Sequence, residues 1–311
     1  MTAVEFCGLR LAHPIVNGSG TFDAIAARRA FGDALLEGFP FSAFVSKTIT
    51  LQPRAGNPPP RLWEAQAGLI NSIGLPNRGL AGYLADDLPQ LAALPVPLIT
   101  NVMGSTIPEV AELVEAVGAR GEVAAIELNV SCPNVRTGLD IGADPRSLGE
   151  LVRAVRPLTR RPLIVKLTPN TADVAAAALA AEREGADAVS LINTLRASAF
   201  APSSRRPWLG GGTGGLSGAA IRTVALAQVA SVARAVDVPV VGMGGVASGK
   251  DAWNLLSAGA TLVAVGTESF RDPAAGTRIR AELKSLQIAK TPSTSVNGSQ
   301  AQVEVDADLA D

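Results

Sequence analysis

The sequence predicts an α/β protein folded as a single (β/α)8 barrel, with inserted loops over its C-terminal face. Eight short apolar runs recur along the chain, and alanine- and leucine-rich segments with helical spacing separate them. Alternation of strand and helix favours a parallel sheet, and eight such units in about 270 residues can close into a barrel that leaves no exposed edge. An open doubly wound sheet is the runner-up. No G-x-G-x-x-G follows the first strand to support it.

In order, the strands are expected at 14–18, 43–48, 97–103, 124–130, 162–167, 186–192, 238–243 and 261–265. The fourth, Ala124 to Val130, is apolar and rich in β-branched residues, as a strand buried on both faces requires. Helical spacing is clearest over 107–117, 173–184 and 219–236. Two insertions break the rhythm. The first, Leu51 to Gly74, carries Pro53, Pro58, Pro59 and Pro60 and reads as a loop over the barrel mouth. The second, Arg196 to Gly215, holds three basic residues and a glycine cluster and reads as another long loop. Loops of this length in compact domains are usually lids or binding loops. The barrel is expected over 1–288. The tail over 289–311, poor in large apolar residues, is expected to be disordered and outside the fold.

Composition narrows the function. Lys and Arg number 27, Asp and Glu 28, and the net charge is −1, which argues against a nucleic-acid surface. No apolar run approaches the roughly 18 residues of a membrane span, and no signal peptide is visible. The two cysteines, Cys7 and Cys132, cannot build a zinc site or an iron–sulfur cluster, and no metal site is expected. With one histidine, His13, the common catalytic triads are poor candidates. A cytoplasmic protein is expected.

In a barrel the site forms where strands end and βα loops begin. The polar residues of this chain fall there: Ser19 after strand one, Lys47 and Thr48 at strand two, Asn101 in strand three, Asn129 and Cys132 at strand four, Lys166 at strand five, Asn193 and Thr194 at strand six. Singly, each has an ordinary reading: the amides and hydroxyls as turn formers, the lysines as snorkelling side chains, the cysteine as a small buried residue. Jointly, two lysines facing a mouth lined with amides point to a site. Gly244-Gly245 after strand seven and Gly266-Thr267 after strand eight place free amides before helices, which suits a phosphate. A phosphate-bearing ligand, Lys166 beneath it and a facing thiol suggest a flavin, with the lysine stabilising an anionic reduced ring. A phosphorylated sugar in an isomerase or aldolase fits the same residues.

Several strings, in order, resemble the class 1 dihydroorotate dehydrogenases over about residues 9–283. These are Ser46-Lys47-Thr48, Asn71-Ser72-Ile73-Gly74-Leu75, Asn129-Val130-Ser131-Cys132-Pro133-Asn134, Lys166-Leu167-Thr168-Pro169-Asn170, Ile192-Asn193-Thr194, Gly214-Gly215-Leu216-Ser217-Gly218, Gly244-Gly245-Val246 and Val265-Gly266-Thr267. The continuation Asn134-Val-Arg-Thr-Gly138 looks most like the NAD-linked class 1B catalytic subunit. The resemblance implies an FMN-dependent oxidation of dihydroorotate to orotate in pyrimidine biosynthesis, with Cys132 as the base. It implies Lys47, Asn71, Ser72, Ile73, Gly74, Leu75, Asn129, Asn193 and Thr194 around the substrate. It implies Ser19, Lys47, Thr48, Asn101, Asn129, Lys166, Ile192, Gly218, Gly244, Gly245, Gly266 and Thr267 around FMN. The loop after Pro133 is implied as the lid that carries Cys132. A homodimer is expected, with an electron-transfer partner carrying FAD and a 2Fe–2S cluster. The chain departs from the family pattern after Thr194, around Asn77, and at Glu268 after Thr267. A dihydropyrimidine dehydrogenase-like chain, the fumarate-linked class 1A enzyme and a non-redox phosphate-binding barrel are the rivals.

Overall fold

A computed structural model describes residues 3–130, 141–202 and 205–290. The barrel strands are β1 (Ile15–Asn17), β2 (Phe44–Val45), β3 (Leu98–Val102), β4 (Val123–Asn129), β5 (Leu163–Lys166), β6 (Ala188–Leu191), β7 (Val240–Met243) and β8 (Leu262–Val265). All ladders between them are parallel, in the order β1-β8-β7-β6-β5-β4-β3-β2. The expected (β/α)8 barrel is present; seven of the expected runs contain their strand, and β4 begins one residue before its run, at Val123.

Period-2 alternation sorts the side chains. Outward-facing Leu98, Ile126, Leu128, Val165, Val189 and Val263 join the helices in the main core. Inward-facing Ile99, Ala125, Ile164, Ala188, Val241 and Leu262 fill the lower barrel. One step up β3, β4, β5 and β6 the lining turns polar, with Asn101, Glu127, Lys166 and Ser190, all nearly or fully buried, while Met243 and Ala264 keep β7 and β8 apolar. That change of chemistry sets the floor of the site. An N-terminal hairpin, Val4–Phe6 with Leu9–Leu11, plugs the opposite end by adding Phe6 and Leu11 to the interior cluster.

Several helices begin on capping side chains, which fixes where the preceding loops end. Thr106 caps Ile107–Gly118, Asp144 caps Pro145–Val155, Asp173 caps Val174–Arg183 and Ser248 caps Gly249–Ser257.

The two insertions are not plain loops, which corrects the sequence reading. They fold into one antiparallel sheet in the order Leu195–Ala197, Gly214–Ser217, Gly68–Asn71, Leu62–Ala65. Trp63 of the first insertion meets Trp208 of the second edge to face, centroids 5.4 Å apart. The glycine cluster is therefore partly a strand. Its smallness is needed: a Cβ on Gly215 would fall 1.9 Å from Thr194 Oγ1, and one on Gly68 would fall 2.1 Å from the Ser217 carbonyl oxygen. Only glycine lets this sheet lie so close to the barrel rim and to itself.

Candidate active site

A cavity of 760 Å³ opens at the C-terminal end of the barrel, under the inserted sheet. Its size falls within the roughly 300–1,000 Å³ typical of small-molecule and cofactor sites. Ser19, Lys47, Thr48, Asn71, Ile73, Gly74, Leu75, Asn129, Lys166, Ile192, Asn193, Thr194, Gly218, Gly244, Gly245, Gly266 and Thr267 all line it. Residues from every strand end except β3, together with the inserted sheet, thus converge on one space.

Two residues expected at the ligand stand behind the wall instead. Asn101 is fully buried and donates its Nδ2 to Glu127 Oε2, while its Oδ1 has no partner among the described residues. Ser72 is also fully buried, and its hydroxyl accepts from Asn57 Nδ2 at 3.0 Å. Cys132 and the expected lid after Pro133 lie outside the described residues.

One end of the cavity is built for an anion. The backbone amides of Gly245, Gly266 and Thr267 make no hydrogen bond among the described residues. Unpaired amides beside a helix start are a phosphate cradle. The cradle is braced from outside. Arg222 Nε donates to the Gly245 carbonyl at 2.9 Å and pairs with Asp251 Oδ1 at 3.0 Å. Asp251 Oδ2 accepts from the Ala247 amide at 3.1 Å and the Ser248 hydroxyl at 2.8 Å. Thr267 Oγ1 donates to Ser217 Oγ at 2.8 Å, tying the β8 loop to the inserted sheet.

The other end is a row of amides and hydroxyls crossing the barrel mouth. Ser19 Oγ donates to the Ser46 carbonyl at 2.8 Å and lies 3.4 Å from Thr48 Oγ1. Asn129 Nδ2 reaches Thr48 Oγ1 at 3.4 Å, and Asn193 Nδ2 reaches Asn129 Oδ1 at 3.4 Å. These last contacts are long, near the limit of a hydrogen bond, so a ligand with better geometry can compete for the same groups. Asn71 donates to the Gly215 carbonyl at 3.2 Å. The turn at Gly74 and Leu75 has positive φ at both residues and is pinned from behind by Asn77 Nδ2 on the Leu75 carbonyl at 2.9 Å.

Two ammonium groups face the cavity. Lys166 is 6% exposed at the end of β5, on its floor. Lys47 is more open. Desolvation holds its pKa below the ordinary lysine value; Asp23 opposes this, and Arg61 adds to it. The site is thus cationic on two sides and lined by groups that both donate and accept, which suits an anionic, planar, polar ligand.

The sequence reading missed several wall residues: Leu62, Gln66, Ala67, Glu268, Phe270 and Arg271. It also missed Glu127, whose Oε1 accepts from Ser190 Oγ at 2.7 Å beneath the floor. A lone acid inside the apolar run Ala124 to Val130 was its only signal.

The fold and this cavity define a barrel whose mouth could take a small polar ligand, with unpaired amides at one end and lysines, amides and hydroxyls at the other. Comparison with known proteins makes the class specific. The dihydroorotate dehydrogenase family model matches residues 1–286. The catalytic subunit of dihydroorotate dehydrogenase B (NAD(+)) from Geobacter metallireducens is 44% identical over 287 residues, 92% of this chain and 93% of that one. Its counterpart from Pelobacter propionicus is 46% identical over 278 residues, 89% of this chain and 90% of that one. A Solibacter usitatus protein, provisionally named a fumarate-linked dihydroorotate dehydrogenase A, is 44% identical over 285 residues, 90% of this chain and 91% of that one. The structure of DHODH from Eimeria tenella in complex with ferulenol superposes with a TM-score of 0.76 at 23% identity, covering 92% of this chain and 85% of that one, a likeness of fold. The chain belongs to the dihydroorotate dehydrogenase family, a family of flavin-dependent oxidoreductases. No helix among the described residues is long and apolar enough to cross a membrane.

Proposed function

We propose that this chain oxidises (S)-dihydroorotate to orotate in pyrimidine biosynthesis, as the catalytic subunit of an NAD-linked enzyme. The observation that carries this reading is the meeting, in one cavity, of Lys47, Asn71, Asn129, Asn193 and Thr194 with the paired loops of β7 and β8. FMN, when bound, supplies the hydride acceptor. The amides of Gly245, Gly266 and Thr267 and the backbone of Gly218 and Gly244 suit its phosphate. Ser19, Thr48, Lys166 and Ile192 suit the rest, with Asn101 supporting from beneath. Lys166 places positive charge where the reaction gathers negative charge. Lys47 holds the substrate carboxylate, and the asparagine amides hold the ring polar groups. The turn of Ile73, Gly74 and Leu75, backed by Ser72, closes over the substrate. Cys132 takes the C5 proton; a thiol with an ordinary pKa near 8.5 makes the rate climb with pH.

Residues 1–288 form the FMN-binding barrel in this reading, and 289–311 lie outside it. The catalytic chain pairs as a homodimer in the cytoplasm, and electrons leave through a partner carrying FAD and a 2Fe–2S cluster. The test is an anaerobic visible spectrum of the purified chain before and after dihydroorotate. A flavin spectrum that bleaches supports the half-reaction. One that stays oxidised with dihydroorotate but bleaches with dihydrouracil moves the chain to the dihydropyrimidine reading. Cys132→Ser slows the bleaching sharply at neutral pH, and Cys132→Ala slows it further; a normal rate in the alanine variant removes Cys132 from the mechanism. The similarity to the Solibacter protein favours a fumarate-linked second reading, which reoxidation of the isolated chain by fumarate would support.

A further inference from the structure

Glu268 places a carboxylate next to the residues that suit a phosphate. It follows Thr267 directly and lines the same cavity. An unpaired carboxylate there would repel an incoming phosphate. It is not unpaired. Arg278, from the C-terminal helix Ala275–Lys290, donates Nη2 to Glu268 Oε1 at 2.9 Å. The same guanidinium donates Nη1 to the Ala247 carbonyl of the β7 loop at 3.0 Å. Its Nε reaches Asp272 Oδ2 at 2.9 Å, and Nη1 also meets Glu282 Oε1 at 3.2 Å. Glu282 in turn accepts the Gly249 amide at 2.6 Å through Oε2, at the start of the helix after the β7 loop. One planar cation therefore spans both phosphate loops from behind without lining the cavity, a role its rigid fork of donors fits better than lysine does.

We propose that Arg278 is a positioning residue for the phosphate of the cofactor: it pairs with Glu268 and so turns its carboxylate to the rear of the loop, and it holds the β7 and β8 loops at the spacing the phosphate needs. This rests on the phosphate reading of those loops given above.

The test is titration of the full-length chain, freed of flavin, with FMN and with riboflavin, following flavin fluorescence. The two ligands differ by the phosphate alone. The unsubstituted chain binds FMN more tightly than riboflavin; equal affinities would overturn the phosphate reading and this inference with it. Arg278→Gln weakens FMN about tenfold, the size of one charge-assisted contact, and leaves riboflavin unchanged. Adding Glu268→Gln to it restores the share of FMN affinity lost to the uncompensated carboxylate, while the share lost with the Arg278–Ala247 bond stays lost. Equal weakening of both flavins, or no change in either, overturns the proposal. Should Arg278→Gln fail to fold, Glu268→Gln alone decides: FMN binds as well or more tightly if the carboxylate is a neutralised liability, and more weakly if the proposal is wrong.

Discussion

The side-chain amide of Asn17 pairs with the backbone of Val45 as a neighbouring strand would: Oδ1 accepts from the Val45 amide and Nδ2 donates to the Val45 carbonyl, both at 2.8 Å. No regular ladder joins β1 to β2, so this fully buried side chain carries the seam at which the barrel closes. Other bonds flank it: lower down the Ser42 amide and hydroxyl both reach the Ile15 carbonyl, and above it Ser19 Oγ donates to the Ser46 carbonyl. Asn17→Ala leaves a buried donor and acceptor on Val45 without partners. That should cost about 2–5 kcal/mol, lowering the melting temperature of the chain by several degrees. Asn17→Asp keeps the bond from the Val45 amide but sets a buried carboxylate against the Val45 carbonyl, so at neutral pH it should cost at least as much as alanine. A thermal scan of the three proteins checks the order.

The parts of the fold that were legible in the sequence share one property: their hydrophobic pattern is local. Each barrel strand is a short apolar run, and apart from the β1–β2 seam strands that are neighbours in sequence are neighbours in the sheet. The inserted sheet was not legible because its pairing is not local. Leu69 lies opposite Ser217 and Asn71 opposite Gly215, across more than 140 residues of chain, and the strands there carry glycine where propensity argues against a strand. The N-terminal hairpin is only three residues per strand, below the length at which alternation can be recognised. Within the site, strand-end position found the wall residues but not depth. Asn101 and Asn129 read alike in sequence, yet the first lies a layer lower, bonded to Glu127, and the second faces the cavity.

The close approach at Gly215 yields a prediction about substrate rather than stability. A methyl group there would collide with Thr194 at both Oγ1 and Cβ, at 1.9 and 2.5 Å. Gly215→Ala should push Thr194 off the cavity wall or lift the inserted sheet. Displacement by about an ångström costs up to a hundredfold in a positioned site. Orotate affinity, read from the shift in the flavin spectrum, should fall by ten- to a hundredfold. Retention of FMN should fall less, because the loops that suit the phosphate join this sheet through Gly218 and the Ser217–Thr267 bond rather than through Thr194.

His13 predicts an acid limit to stability. It is nearly buried, its Nδ1 accepts from the Ile15 amide at 3.3 Å, and burial, with Arg280 adding to it, lowers its pKa to about 4. The unfolded chain has its histidine near 6.5. Between these values the unfolded state binds the extra proton, so stability falls as pH drops through that window and is intact above it. The loss at pH 5 should be about 2 kcal/mol. His13→Asn keeps an acceptor and removes the titration. Urea unfolding of both proteins at pH 7 and pH 5 should show a pH-dependent gap in the parent that the variant largely lacks.

Lys47 predicts an alkaline limit to substrate binding. Its ammonium lines the cavity, and desolvation holds its pKa below that of a free lysine, with Arg61 acting in the same direction and Asp23 against both. The protonated form is the one that pairs with a carboxylate. As pH rises, the charge is lost earlier than an exposed lysine would lose it, so KM for dihydroorotate should climb in the alkaline range while FMN stays bound. Lys47→Ala should raise KM at every pH and erase that climb. Lys47→Arg keeps the charge at all these pH values, so its KM should stay flat, although the larger fork fits the site less well. In the proposed reading Cys132 is the base of flavin reduction, so its effect belongs to the rate of that step at saturating substrate. Measuring that rate and KM separately from pH 6 to 10 parts the two groups. An unchanged KM in Lys47→Ala at neutral pH would remove Lys47 from the substrate site.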